Sequence, residues 1–252
     1  MNEERKSRRL RHEAARRRTL MVAEKTQLAP NYLSIRFDCR DFGDFVSASA
    51  DDHIKLFLPG PRSASGKPNM RDYTPRAFDP ERNSFVIDFA LHPDPGPATA
   101  WAIAARPGDT VEIGGPRGSV VISDRFSDYW LIGDEAAIPS IMRRMSEWPE
   151  ARIHALIAVA GTSEEVPMPL GQRHDVRWVQ RPANAGGDAT SLLSAFADWY
   201  VPGEDGFVWI AAEAGVARAL REAVLATGHP AANMKASGYW TWGMADTTAK
   251  FD

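Results

Sequence analysis

Arg71-Asp72-Tyr73-Thr74-Pro75-Arg76 is the segment of this chain best equipped to hold a flat, anionic ligand. On an extended strand residues two apart share a face, so Arg71 and Tyr73 stand together while Thr74 projects to the other side or its edge. A guanidinium grips a pyrophosphate with paired donors, a phenol lies against a planar ring, and a hydroxyl bonds a ring nitrogen. The same residues also suit an exposed strand carrying a lone ion pair. Further along, Asp88-Phe-Ala-Leu-His92-Pro-Asp-Pro-Gly96-Pro97-Ala98-Thr99-Ala100-Trp101 reads as a strand, a tight loop and the start of a helix. Gly96 allows backbone to approach a ligand closely, and Pro97 suits a first helical turn. The free N–H groups of that turn make an anion site matched to a diphosphate. Gly-Pro as plain turn chemistry, with Trp101 as a core anchor, is the alternative.

Other chemistries lose their motifs. Gly60-Pro-Arg-Ser-Ala-Ser-Gly66-Lys67 resembles a phosphate loop but has five residues between its glycines and Pro68 where the magnesium-binding hydroxyl belongs, so it reads as a hairpin loop. GxSxG is absent, which weakens a hydrolase. The six histidines are scattered with no HExxH, leaving a catalytic metal unsupported, and GxGxxG is absent too. Cys39 stands alone, which excludes an intrachain disulfide and cysteine-rich zinc sites.

The elements that must position these residues fall into two kinds. Between Thr19 and about Val121, short apolar or alternating runs such as Tyr32-Leu-Ser-Ile-Arg-Phe, His53-Ile-Lys-Leu-Phe-Leu and Ser84-Phe-Val-Ile-Asp-Phe are punctuated by Pro, Gly and Asn, which predicts an antiparallel sandwich or barrel. Pro97 to Ala105 is the helix of this half. From about Asp128 strands alternate with helices: Tyr129-Trp-Leu-Ile-Gly, then a helix from Pro139, Ala155-Leu-Ile-Ala-Val-Ala, Arg177-Trp-Val-Gln, a helix from Ser191, Gly206-Phe-Val-Trp-Ile-Ala-Ala, and a helix from Gly215. That rhythm predicts βαβ units and a parallel sheet covered on both faces. Ligands of such sheets sit outside the carboxyl ends of the strands, so the cleft facing the barrel is the expected place for one.

The 252 residues suit one large or two modest domains, and 44% hydrophobic with 25% charged residues supports a packed core. No run reaches the roughly eighteen apolar residues of a membrane span, and no apolar leader follows the N-terminus, so a reduced cytoplasmic setting is expected. The net charge of −3 hides an asymmetry: residues 1–18 carry +5 and the remainder −8. The leader is expected to be a solvated arm or helix, and the acidic body argues against nucleic acid.

Taken in order, Arg71-Asp-Tyr-Thr-Pro-Arg, His92 with Gly96-Pro-Ala-Thr-Ala-Trp, Gly115-Pro-Arg-Gly118, Leu131-Ile-Gly-Asp-Glu-Ala-Ala-Ile-Pro-Ser, Ala212-Glu-Ala-Gly-Val and Gly238-Tyr-Trp resemble the siderophore-interacting protein family, flavin-dependent ferric-siderophore reductases. The resemblance runs from about Arg17 to Gly243. It implies a ferredoxin-reductase-like fold: a basic arm over 1–16, a six-stranded antiparallel FAD-binding β-barrel over 17–124, and an NAD(P)H-binding α/β domain with a parallel sheet over 125–252.

Residue by residue, the resemblance puts Arg71, Tyr73 and Thr74 on the FAD phosphate, ribityl chain and isoalloxazine. Asp88, His92, Gly96, Pro97, Ala98 and Thr99, with Trp101 in support, fall on the adenine-diphosphate side. Gly133, Asp134, Glu135, Ala136, Ala137, Ile138 and Pro139 fall where a nicotinamide nucleotide would lie, with Ala212, Glu213, Ala214 and Gly215 closing that side. Tyr239 and Trp240 are expected near the flavin or in plain packing. Glu164 and Glu165, just past the second strand of the α/β half, would accept from a ribose 2′-hydroxyl and lean towards NADH, unless a nearby arginine reverses it. Anionic ferric siderophores call for cations, for which Lys55 and Lys235 are the candidates; Thr241 and Trp242 stand where relatives often carry arginine, leaving the basic set incomplete and Trp242 as a further substrate contact. The implied reaction is hydride transfer from NAD(P)H to FAD, then single electrons to ferric iron, in a monomer without metal ligands of its own. A general flavin or ferredoxin-type reductase of the same fold, and a non-catalytic siderophore-binding protein, are the alternatives.

Overall fold

The computed structural model describes residues 7–13, 15–60, 69–182, 184–201, 203, 205–244 and 249–251. Most of the phosphate-loop look-alike and the first six residues of the basic arm lie outside them. The chain forms two compact units, Ser7–Ile122 and Ser123–Asp252.

The first unit contains strands β1 (Arg8–Arg11), β2 (Arg17–Ala29), β3 (Tyr32–Asp38), β4 (Ile54–Phe57), β5 (Met70–Tyr73), β6 (Ala77–Asp79) and β7 (Ser84–Ala90), helix α1 (Pro97–Ala104), and strands β8 (Thr110–Gly114) and β9 (Gly118–Val121). Seven of these join in the order β5-β4-β8-β2-β3-β7-β6, every pair antiparallel. Six strand spacings would put the edges of a flat sheet about 29 Å apart. The link between the two edges, Thr74 to Arg76, reaches only about 14 Å fully stretched. The sheet must therefore curl until its edges approach, and the expected six-stranded barrel is a curled sheet of seven. Alternating residues Leu20, Val22, Ile35, Phe37, Ile54, Leu56, Phe85, Ile87 and Phe89 fill its interior.

The link across the seam is pinned by Arg76. Its amide donates to the Val86 carbonyl at 3.0 Å, its Nη2 donates to Ser34 Oγ at 3.0 Å, and its Nε lies 2.5 Å from Asp88 Oδ2. Asp88, expected to face a cofactor, is instead fully buried in this clamp. Burial pushes its carboxyl up, against the pull of Arg76 and Ser34.

The basic arm also departs from expectation. Residues 8–11 are neither helix nor free tail but pair with β9 as a separate two-stranded ribbon. Arg8, Arg9 and Arg11 are exposed on it. Gly118 permits the approach, since a Cβ there would stand 2.3 Å from the Leu10 carbonyl. Arg16 then binds Asp41 and Asp44, and buried Arg18 reaches Asp44 at 2.5 Å.

The second unit holds β10 (Asp128–Asp134), α2 (Ile138–Glu147), β11 (Ile153–Val159), β12 (His174–Gln180), α3 (Thr190–Trp199), β13 (Gly206–Glu213), α4 (Ala214–Ala226), β14 (Met234–Trp240) and β15 (Ala249–Lys250). The sheet order is β12-β11-β10-β13-β14-β15, with the first five parallel and β15 antiparallel. Every residue of β13 is buried, as in a strand covered on both faces. The order reverses between β10 and β13, the point at which such sheets open a crevice. The Tyr-Trp segment, to which no element was assigned from its pattern, is the end of a sheet strand, β14.

Candidate functional site

In the first unit β5 is an edge strand paired with β4, with Tyr73 opposite Ile54 and Arg71 opposite Leu56. Arg71 and Tyr73 therefore share the face of the buried Ile54 and Leu56, on the inner rim of the seam. Arg71 is oriented from its own strand, its Nη1 donating to Asn69 Oδ1 at 3.2 Å and to the Met70 carbonyl at 2.8 Å. The Tyr73 ring lies 4.6 Å from that of Phe89. Burial raises its phenol well above the ordinary tyrosine range, with Arg71 opposing, so it remains a hydrogen-bond donor at any physiological pH. Thr74 is buried at the strand end.

Phe89 continues the row to Trp101 at 6.5 Å, and Trp101 stacks on Phe37 at 6.3 Å, so the tryptophan anchors α1 to the core. That anchor presents the first turn of α1. Gly96 is its N-cap in extended conformation, Pro97 follows, and no side chain caps the turn. Pro97 has no N–H, and Ala100 N–H already bonds the Gly96 carbonyl at 2.9 Å, which leaves the amides of Ala98 and Thr99 for an external acceptor. The Thr99 hydroxyl turns back to the Gly96 carbonyl at 3.0 Å. A Cβ on Gly96 would meet nothing within 4 Å, so the approach is open. His92 is exposed in the loop before it.

Lys55 stands directly opposite Asp72 and binds it at 2.7 Å. It thus lies on the other face of the β4–β5 pair from Arg71 and Tyr73, with its charge matched by a neighbour. Expected as a cation for an anionic chelate, it is here half of an ion pair.

In the second unit the carboxyl ends of β10, β13 and β14 are tied through one carboxylate. Asp134 Oδ2 accepts from Glu213 N–H at 2.8 Å and from Trp240 Nε1 at 2.9 Å, while Oδ1 accepts from Ala136 N–H at 3.0 Å. Asp134 is buried, and desolvation reinforced by the charge of Glu135 pushes its carboxyl up to about 7. Gly133 precedes it because a Cβ there would stand 2.2 Å from the Ala211 carbonyl and 2.4 Å from Ala137 Cβ.

The two helices that start here differ. Glu213 caps α4 from within: its Oε2 accepts from Gly215 N–H at 2.5 Å and Val216 N–H at 3.1 Å, so the Ala212 to Gly215 turn is not an open anion site. Helix α2 begins at Ala137, Ile138 and Pro139 with no side-chain cap. Of the two dipole ends, α2 is the one able to receive a phosphate.

Tyr239 is the extra residue of a bulge between Ala212 and Glu213, its hydroxyl 3.3 Å from Ser140 Oγ and its ring edge-on to Trp209. Trp242 donates its N–H to Glu213 Oε1 at 3.1 Å and is half-exposed. Both Trp240 and Trp242 lie on Gly186, where a Cβ would approach each indole to 2.7 Å. Lys235 is half-buried within β14, beside Trp209.

A small cavity of about 10 Å³ at this mouth is lined by Asp134, Ala158, Arg181, Gly186, Asp188 and Ser191, among others. Of its charged residues only Asp134 was expected; Arg181 and Asp188 were missed. Their one signal in the sequence is position, just past the Arg177-Trp-Val-Gln strand. Among the described residues no group of three His, Cys, Asp or Glu is placed to hold a metal, and no helix is long and apolar enough to cross a membrane.

Two family models match the chain, one described as siderophore-interacting FAD-binding domain over residues 21–66 and 62–120, the other as siderophore-interacting protein over 126–243. The NADPH-dependent ferric-chelate reductase of Escherichia coli is 27% identical over 242 residues, 88% of this chain and 92% of that protein. The mycobactin import ATP-binding/permease protein IrtA of Mycolicibacterium smegmatis is 31% identical over 94% of this chain, which spans only 27% of IrtA. A siderophore utilization protein from T. fusca superposes with a TM-score of 0.84 at 27% identity, covering 95% of this chain and 98% of its own. SipS, a siderophore-interacting protein from Aeromonas hydrophila, superposes with a TM-score of 0.79 at 28% identity, covering 91% and 93%.

Proposed function

Because the chain belongs to the siderophore-interacting protein family, we propose that it is an FAD-dependent NAD(P)H:ferric-siderophore oxidoreductase. The observation that carries this reading is the pairing of an uncapped, glycine-entered helix turn with the Arg71–Tyr73 rim strand in the unit that the FAD-binding model matches. A donor set of two free amides, a guanidinium and a half-buried phenol fits a diphosphate joined to a planar ring.

Ala98 and Thr99 amides hold the diphosphate, Arg71 adds a charged clamp, and Tyr73 and Thr74 orient the ring system. His92 flanks the same loop, and Trp101 fixes the helix that carries it. Bound FAD supplies the hydride acceptance and one-electron delivery that no side chain provides. In the second unit the open turn of α2, over Ala137 to Pro139, receives the dinucleotide phosphates. Gly133 keeps the backbone thin there, and Asp134 holds Trp240 and, through Glu213, Trp242 at the rim. Reduction loosens the chelate because iron(II) is bound less tightly than iron(III) by hard oxygen donors. Lys235 and Trp242 remain the candidates for chelate contact. The compartment proposed is the cytoplasm and the unit a monomer.

Purified protein should be yellow, and should oxidise NAD(P)H when a ferric chelate is added, with iron(II) captured by a chromogenic trap. Colourless protein that cannot be reconstituted with FAD would sink the proposal. Arg71→Ala should lower FAD retention about tenfold or more, the scale of a charge-assisted contact; unchanged retention removes its role.

A further inference from the structure

We infer that the Glu135–Arg181 pair excludes a 2′-phosphate from the dinucleotide site of the second unit, making NADH the electron donor of this chain. The inference rests on the proposed reading that this unit binds a nicotinamide dinucleotide. In open α/β sheets the adenosine ribose lies beyond the strand ends; a carboxylate there accepts from a 2′-hydroxyl, and an arginine accommodates a 2′-phosphate. Arg181 follows β12 directly and is the sole Lys or Arg among the described residues lining the cavity. It is the cation a 2′-phosphate would need.

That cation is already committed. Nη2 of Arg181 lies 2.5 Å and 2.6 Å from the two carboxylate oxygens of Glu135, and its side chain is only 6% exposed. Its backbone N–H is fixed to the Val159 carbonyl of β11 at 2.9 Å. The pair is neutral as a unit, and the remaining charged groups on the cavity wall, Asp134 and Asp188, are acids. Asp188 accepts from the Thr190 amide at 2.9 Å and hydroxyl at 2.6 Å, which holds it below the usual carboxylate range and keeps it ionised. Glu164 and Glu165 follow β11 in the same layer of strand ends.

A 2′-phosphate would bring nearly two negative charges to this wall at neutral pH. Turning Arg181 towards it would strand Glu135, one third exposed, beside buried Asp134. A ribose hydroxyl asks for neither change, because it donates to a carboxylate.

The test is calorimetric titration of the full-length protein with 5′-ADP and with 2′,5′-ADP, probes that report nucleotide binding without turnover. Wild type should bind 5′-ADP at least as tightly as 2′,5′-ADP. Glu135→Gln, which frees the guanidinium, should shift the ratio towards 2′,5′-ADP by about tenfold, equivalent to about 1.4 kcal/mol. The double variant Glu135→Gln/Arg181→Gln should return the ratio to the wild-type side. Tighter binding of 2′,5′-ADP by wild type, or an unchanged ratio in Glu135→Gln, overturns the inference while leaving a nucleotide site in place. Failure of wild type to bind either nucleotide overturns the reading of a dinucleotide site itself.

Discussion

Gly133→Ala isolates how closely the sheet and α2 approach at the strand end where the dinucleotide is proposed to bind. The new Cβ would lie 2.2 Å from the carbonyl oxygen of Ala211 and 2.4 Å from Ala137 Cβ, both well inside van der Waals contact. Neither neighbour is a flexible side-chain end. Ala211 is the register partner of Gly133 in the β10–β13 ladder, and fully buried Ala137 begins α2. Relief needs a movement of roughly 1 Å, which strains the core by about 1–3 kcal/mol and weakens one or two ladder hydrogen bonds at about 1 kcal/mol each. The expected loss is about 3 kcal/mol, a lowering of roughly 10 °C in the melting of a unit this size. Gly161→Ala is the control: it follows β11, is extended with φ 172°, and its Cβ would meet nothing within 4 Å. That variant should be neutral or gain a few tenths of a kcal/mol from a stiffer unfolded chain. Scanning calorimetry on both variants decides the matter. Loss of less than 1 kcal/mol in Gly133→Ala, or equal losses in the two, would refute the close-approach argument.

Asp134 makes stability depend on pH with a definite sign. Its carboxyl is raised to about 7 when folded from 3.8 when free, so the native state binds the extra proton between those values, and stability falls as pH rises through that window. Melting from pH 5 to 8 should show this slope in wild type and a smaller one in Asp134→Asn; identical slopes would remove the assignment. Arg76→Met strands buried Asp88 at the barrel seam and should cost about 3 kcal/mol or more at pH 8. Because Asp88 is already pushed up by burial, it escapes by protonation, so the cost should shrink as pH falls towards 5. A denaturant series showing a cost independent of pH would contradict the clamp.

Local pattern carried much of the architecture. Alternation in Tyr32–Phe37 and Ser84–Ala90, the continuous apolar runs of β10, β11 and β13, and the Gly96-Pro97 helix start are all legible because their burial follows from neighbours in the chain. Strands β1, β6, β9, β14 and β15 were not legible. They are short, polar or rich in glycine and small residues, and exist because a distant strand offers them a partner: β1 needs β9, β6 needs β7, and β14 needs β13.

The sequence by itself determined which residue types stand at the strand ends and helix starts: the Arg-x-Tyr-Thr strand, the proline-opened turns, and the acids after β10 and β11. Only the tertiary structure decided which of their charges remain available. Asp88 proves to be a clamp for Arg76, Lys55 the partner of Asp72, Asp134 the acceptor of the Glu213 amide, and Arg181 the counterion of Glu135. Hydrogen bonds and ion pairs act over about 3 Å, and residues 12 to 79 positions apart come within that distance only when sheets set their register.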